Sequence, residues 1–188
     1  MTRIFIADVS CIDIEASLGK VSPARREKTL RLSKDDDKRR SLGAEMLLIK
    51  AAGRDDYVLS KNEKPYFPDN EVFFSLAHCG DYAVCAVSDV PVGVDIELPR
   101  AGGARLAKRF FQPDEAALVY AADDPDREFC RLWTLKESYI KCADLRLGNI
   151  RSFSVVSGAE GCSFSSASYG EYLSLIHISE PTRLDVIS

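Results

Sequence analysis

The chain has 188 residues, room for one good-sized domain or for two small halves that share a core. Apolar residues make up 46% and charged residues 29%, an ordinary globular balance that excludes disorder. A net charge of −4 gives no overall attraction for a polyanion, so general nucleic-acid binding is excluded, while a local basic pocket for a small phosphate ligand is not. The six cysteines (Cys11, Cys79, Cys85, Cys130, Cys142, Cys162) form no CxxC pair and there are two histidines, so a thiolate zinc site is not expected. They read as reduced, mostly buried residues. The opening MTRIFIADVS carries an apolar run too short for a signal peptide, and no later stretch could span a membrane, so a cytoplasmic protein is expected.

Taken in chain order, Arg3–Val9 alternates apolar and polar residues and predicts a strand. Ser22 followed by Pro23 reads as an N-cap and first helical position, opening a short helix to about Leu32. Ser33 with Asp36 suggests a capping box for a second helix, in which Leu42, Met46 and Ile49 fall on one face and which Gly53 ends. Glu71–Leu76, Tyr82–Ser88 and Val92–Glu97 read as strands whose short linkers suit hairpins, and Gly102-Gly103 marks a junction between halves. Pro113 opens a helix carrying Ala116, Ala117 and Tyr120. Pro125-Asp126 opens another to about Cys142, with Phe129, Leu132, Trp133 and Ile140 as its buried stripe. Phe153–Val156 and Ser163–Ser168 read as strands. The order predicts an α+β architecture with antiparallel sheets and helices on one face.

Three segments could carry chemistry. In GVDIE, Asp95 and Glu97 are two apart on a strand and point to one side. Two such carboxylates repel unless a cation or hydrogen bonds offset the repulsion, and an oxygen-rich pair suits Mg²⁺; the plain alternative is a solvated strand end before Pro99. In WTLKESYIK, Trp133, Glu137 and Lys141 lie along one helical face, where a bare surface Glu–Lys pair would contribute only about 0.3–0.5 kcal/mol. In SLAHCG, His78 sits where an apolar strand meets a turn; a lone histidine is more often structural than functional, and this position raises the functional reading only modestly.

The order of His78, then D-x-E, then W-x-x-K-E-S-x-x-K resembles the signature of the 4′-phosphopantetheinyl transferase superfamily, in its larger, surfactin-synthetase-activating type. RLWTLKESYIK and GVDIE carry the resemblance, with SPARREK and NEKPYF in support, and it runs from about Ile4 to Phe153. It implies two pseudosymmetric α/β halves, 1–99 and 100–172, with the site between them in a monomer. It implies transfer of the phosphopantetheine arm of coenzyme A, the substrate, to a serine of an apo acyl or peptidyl carrier protein. Mg²⁺ (or Mn²⁺) would be held by Asp95, Glu97 and Glu137. Glu137 would be the base and Lys141 would stabilise the leaving phosphate, with Lys136 assisting. Arg25, Lys28, Arg40, Ser41 and His78 would meet phosphate, and Lys64 and Pro65 would line the adenine side. Two departures stand out: Ala77 replaces the usual serine before the histidine, and CADLRLGN replaces a GKGL-like turn. A truncated relative that binds coenzyme A or a carrier without turnover is the competing reading, and the carboxylates alone would also suit a Mg²⁺-dependent phosphohydrolase.

Leu173–Arg183, LSLIHISEPTR, resembles the translation of a sequencing adapter read through into coding sequence. On that reading 173–188 is a non-native tail, His177 carries no functional information, and the second half lacks its last strands. The structural alternative is a short strand followed by a Pro-containing turn.

Overall fold

A computed structural model describes residues 1–156, 163–178 and 184–186. The alternating N-terminal run forms β1 (Thr2–Asp8), followed by α1 (Ile14–Ser17), capped by the Asp13 carboxylate. Ser22 Oγ accepts from Arg25 N and opens α2 (Pro23–Leu30), as the Ser-Pro pair predicts. α3 (Asp35–Ala52) ends at Gly53, whose φ of 76° is the left-handed conformation that glycine adopts without a steric penalty. The helix does not start on the expected capping box: Lys34 holds the cap position with no side-chain cap. Asp35, Asp36 and Asp37 complement the helix dipole instead, and pair three residues on with Lys38, Arg39 and Arg40. Leu42, Ala44, Leu47, Leu48 and Ala51 carry the buried face, while Met46 and Ile49 are half-buried.

β2 (Val58–Leu59) and β3 (Pro65–Tyr66) form a small antiparallel pair. β4 (Phe73–Cys79) and β5 (Tyr82–Ser88) form the expected hairpin, turning at Gly80. The second expected hairpin is not made, because β6 (Val92–Glu97) leaves that sheet. After α4 (Ala107–Phe110), α5 (Pro113–Ala121) and α6 (Pro125–Cys142), β7 (Ser163–Tyr169) and β8 (Tyr172–Ile178) return, and β6 pairs with β8 in the order β6-β8-β7. The other sheet has the order β4-β5-β1-β9, with β9 (Leu184–Val186) parallel to β1. The adapter-like run is therefore not an appendage over Leu173–Ile178: it is most of the middle strand of the second sheet, with Asp95 opposite Leu175 and Gly93 opposite His177. Residues 179–183 of that run, and Cys162, lie outside the described residues.

Alternation along β5 explains the layers. Ala83, Cys85 and Val87 face α3 together with Phe67 and Phe74, and Val84 and Ala86 face Val92, Val94 and Ile96 of β6. A third core joins α5 and α6 through Val119, Leu132 and Leu135. The helices thus cover the outer faces of two sheets packed against each other, rather than one face as predicted. Cys79, Cys85 and Cys130 are buried free thiols, whereas Cys11 is exposed. Among the described residues no helix is long and apolar enough to cross a membrane.

The turn of β6 toward α6 requires Gly93. A Cβ there would lie 1.9 Å from Ser138 O and 2.6 Å from Cys142 N, both backbone atoms that cannot swing aside. Gly93→Ala is expected to destabilise the fold by about 1–3 kcal/mol, the usual cost of overpacking. A denaturation midpoint equal to the parent's would contradict that close approach.

Candidate active site

Because Val92, Val94 and Ile96 face the inter-sheet core, Gly93, Asp95 and Glu97 face α6. Helical spacing on α6 puts Trp133, Glu137 and Lys141 one above another on the side that meets them. The two elements form a cleft of about 370 Å³, lined by Asp95, Glu97, Glu137 and Lys141, with Arg25, Pro65, Ala77 and His78 among its other walls. Lys141 Nζ donates to Asp95 Oδ1 at 2.7 Å. Burial pushes the carboxyl of Asp95 up, and Lys141 opposes the shift. Burial also pushes Glu97 up, reinforced by Asp95; Glu137 is raised by burial and by both neighbouring acids, against the pull of Lys141. Three carboxylates raised by burial, two of them also by acidic neighbours, share one cleft, and a hard cation would relieve such a site.

Their oxygen donors fit Mg²⁺, which takes one or two carboxylates and completes its shell with water and phosphate oxygens. The expected three-ligand cage is not drawn up: among the described residues no group of three His, Cys, Asp or Glu side chains is close enough to hold a metal by itself. Asp95 is instead engaged by Lys141.

The facing wall is positive. Arg25 Nε donates to Glu45 Oε2 at 2.7 Å, and Glu45 also accepts from Ser22 N and Tyr57 Oη, each at 2.7 Å. Burial alone would raise the Glu45 carboxyl, but the bonds from Tyr57, Arg25 and Ser22 outweigh it and hold it below its ordinary value. A fully buried acid thereby orients Arg25, which sequence reasoning left as a surface charge apart from the resemblance. His78 stands at the cleft wall; loss of water around its ring, then the charges of Lys141, Arg40 and Arg25, keep it below the usual histidine value. Arg40 donates to Gly80 O and pairs with Asp37.

Not every expected residue reaches the cleft. Lys28 is exposed and stands outside its lining. Ser41 is buried and shares a 2.9 Å hydrogen bond with Thr29. Lys64 donates to Cys142 O and lines an adjoining cavity of about 230 Å³ that shares Pro65, Leu76 and Lys141 with the cleft. A larger cavity of about 470 Å³ adjoins at the opposite side and shares Glu97.

Lys136 is the clearest correction. It has no solvent exposure, and its Nζ donates to both Glu115 oxygens at 2.7 Å and to Phe153 O at 2.6 Å. On a helix, neighbours in sequence point about 100° apart, so Glu137 facing the cleft turns Lys136 into the α5 side. Glu115 also accepts from Gln112 N and Val155 N. These bonds take the backbone groups of 153–155 that a strand would use, and Phe153–Val156 accordingly forms no strand. Glu45 and Glu115 went unremarked in the sequence. The available signals were an acid inside the apolar run LGAEMLL and a glutamate three residues after Gln112 at a helix start.

Residues 91–177 match the family model described as the 4′-phosphopantetheinyl transferase superfamily. A 4′-phosphopantetheinyl transferase of Bacillus subtilis is 37% identical over 151 residues, covering 73% of this chain and 67% of the relative. The 4′-phosphopantetheinyl transferase Sfp of Bacillus subtilis (strain 168) is 32% identical over 139 residues, 68% of this chain and 62% of the relative. The 4′-phosphopantetheinyl transferase gsp of Aneurinibacillus migulanus is 34% identical over 131 residues, 64% and 55%. The chain thus spans about two thirds or less of the length of these curated relatives.

Proposed function

The chain belongs to the 4′-phosphopantetheinyl transferase superfamily, and from that premise we propose that it transfers the phosphopantetheine arm of coenzyme A to a serine of an apo acyl or peptidyl carrier protein. The observation that carries this reading is the cleft itself, in which Asp95, Glu97 and Glu137 share one space with Lys141, Arg25 and His78. Such a site presents acids for a cation and cations for phosphates, as a pyrophosphate substrate requires.

In the proposed reaction the serine Oγ forms a bond to the phosphorus on the pantetheine side of the pyrophosphate. The bond from that phosphorus to the bridging oxygen breaks, and adenosine 3′,5′-bisphosphate leaves. Glu137, its proton affinity raised by burial and by its acidic neighbours, accepts the serine proton. Lys141 lies within reach of the negative charge that collects on the leaving phosphate, and Arg25 and His78 fix the nucleotide's phosphates on the positive wall. Asp95, Glu97 and Glu137 would hold Mg²⁺, which when bound neutralises charge on the pyrophosphate oxygens. Pro65 and Lys64, which line the adjoining cavity, would border the adenine. The reading carries with it a monomeric cytoplasmic enzyme of two related halves, in which the adapter-like residues 173–178 stand in for a native strand.

The test is an intact-mass measurement of an apo carrier protein after incubation with the chain, coenzyme A and Mg²⁺, with and without a chelator. One added phosphopantetheine, lost when the cation is chelated, is the expected result. A carrier unchanged in mass, with a folded chain and several carrier classes tried, would remove the enzyme reading in favour of a binding module.

A further inference from the structure

The loop that ends in Lys64 has little of its own to hold it in place. It joins β2 and β3, strands of two residues each, and Val58 and Leu59 are exposed. A two-stranded hairpin of this size is marginal by itself. Its tip is closed by Ser60 N donating to Lys64 O at 2.8 Å and Glu63 N donating to Ser60 O at 3.0 Å. Glu63 has a φ of 67°, a left-handed backbone that is uncommon for a glutamate.

What fastens this loop is the CADLRLGN segment that runs on from the end of α6. Ser60 Oγ donates to Asp144 Oδ1 at 2.8 Å, and Asn62 Nδ2 donates to Asp144 O at 2.6 Å. Arg146 Nε donates to Asn62 Oδ1 at 3.0 Å, and Lys64 Nζ donates to Cys142 O at 2.9 Å. Ser60 Oγ also accepts from Asn62 N and Lys64 N, so one hydroxyl ties the tip together and ties it to Asp144. Asp144 is itself left-handed, with a φ of 51°, which aspartate tolerates better than most residues. Backbone of this kind persists only where its surroundings over-determine it, and it clusters at ligand clamps. The fixed side of the clasp is α6, an 18-residue helix with a buried apolar stripe. Between the two sides lies the cavity of about 230 Å³, with Asn62, Lys64 and Pro65 on one wall and Ile140, Lys141 and Leu145 on the other.

We propose that Asp144 and Asn62 are positioning residues for the donor substrate, holding the Lys64–Pro65 wall at the distance from Lys141 that fits the nucleotide end of coenzyme A. The inference rests on the transferase reading above, which puts the nucleotide at this cavity. Neither residue has to touch the substrate, because each acts through the loop that it fastens. Glu137 and Lys141 sit on the helix and not on the loop, so loosening the clasp weakens binding and leaves the chemical step alone. Loss of uniform binding raises KM without lowering kcat.

The experiment varies coenzyme A in steady-state assays of the full chain with Mg²⁺ and saturating apo carrier. In parallel, adenosine 3′,5′-bisphosphate, which carries the nucleotide end alone, is titrated by calorimetry. Asp144→Ala and Asn62→Ala are each expected to raise the KM for coenzyme A and the Kd for the bisphosphate by about three- to tenfold, the scale of one lost hydrogen bond, with kcat unchanged. Asp144→Asn keeps an acceptor oxygen and enters the left-handed region readily, so it is expected to keep the parent values. A merely structural role would lower kcat through a smaller folded fraction and leave KM at the parent value, and that result would overturn the proposal. Parent values in both Ala variants, or equal damage from Asp144→Asn and Asp144→Ala, would also overturn it. A parent chain that modifies no carrier is the separate failure of the transferase reading. The bisphosphate titration then still decides the role of the clasp, and no binding of the bisphosphate by the parent would overturn it.

Discussion

Glu137→Ala and Glu137→Gln are expected to abolish transfer while leaving the fold intact. Loss of a positioned base alone lowers kcat by about 10²–10⁴-fold, and Glu137 is also a proposed cation ligand, so a fall of at least about 10³-fold is expected. Binding of the carrier should change little, because that surface does not depend on one carboxylate inside the cleft. The electrostatics add a second, less intuitive outcome. Glu137 titrates above its ordinary value in the folded chain, because burial and the charges of Asp95 and Glu97 disfavour its ionised form. An acid whose pKa rises on folding opposes the fold wherever it is ionised, that is, above its unfolded-state value. Glu137→Gln should therefore raise the thermal midpoint slightly at neutral pH without divalent cation, while removing activity. Initial rates and melting curves on the same samples check both arms. A Gln variant that retains more than a tenth of the parent rate would place the base elsewhere.

The second large effect concerns folding. Lys136 and Glu115 form an ion pair with no solvent exposure on either side chain. Breaking a buried pair by removing one partner leaves the other charge uncompensated, at a cost of about 3–5 kcal/mol. Lys136→Met is expected to lose that much, read as a shift of the denaturant midpoint at constant slope. The double variant Lys136→Met with Glu115→Gln should be less destabilised than the single one. The amide carries no charge, yet its oxygen still accepts from Gln112 N or Val155 N, which otherwise lose their partner. A single variant within about 1 kcal/mol of the parent would contradict the burial of the pair. Since Lys136 precedes Glu137, its side chain anchors α6 to α5 at the turn that aims the Glu137 carboxylate. Activity lost in Lys136 variants then reflects position rather than phosphate contact.

These two residues show what was legible in the sequence. Helix α6 was readable to its ends, because Pro125 and the apolar stripe give local signals at both the start and the buried face. The D-x-E pair was readable for the same reason: strand alternation alone puts Asp95 and Glu97 on one side. The Glu115–Lys136 pair spans 21 residues and two helices, so no local pattern reports it, and Lys136 was assigned to the cleft from its place in the motif. Arg25 lines the cleft, but its orienting partner Glu45 lies 20 residues away on another helix. Phe153–Val156 has strand-like composition, yet its backbone partners are the side chains of that buried pair, a tertiary demand that outweighs propensity. The second sheet was hidden for a different reason. LSLIHI reads as adapter sequence by resemblance, but its apolar content and β-branched residues also satisfy a strand, and the edge of β6 takes it.

The central claim is group transfer from coenzyme A to a carrier serine, and its most direct test is stoichiometry. Adenosine 3′,5′-bisphosphate and modified carrier would be quantified together, over time, in one reaction containing the chain, Mg²⁺, coenzyme A and limiting apo carrier. The expected result is one bisphosphate released for each carrier modified, with release stopping when the carrier is exhausted. Release that continues after exhaustion, or proceeds without any carrier, would contradict the claim and identify a phosphohydrolase acting on the pyrophosphate.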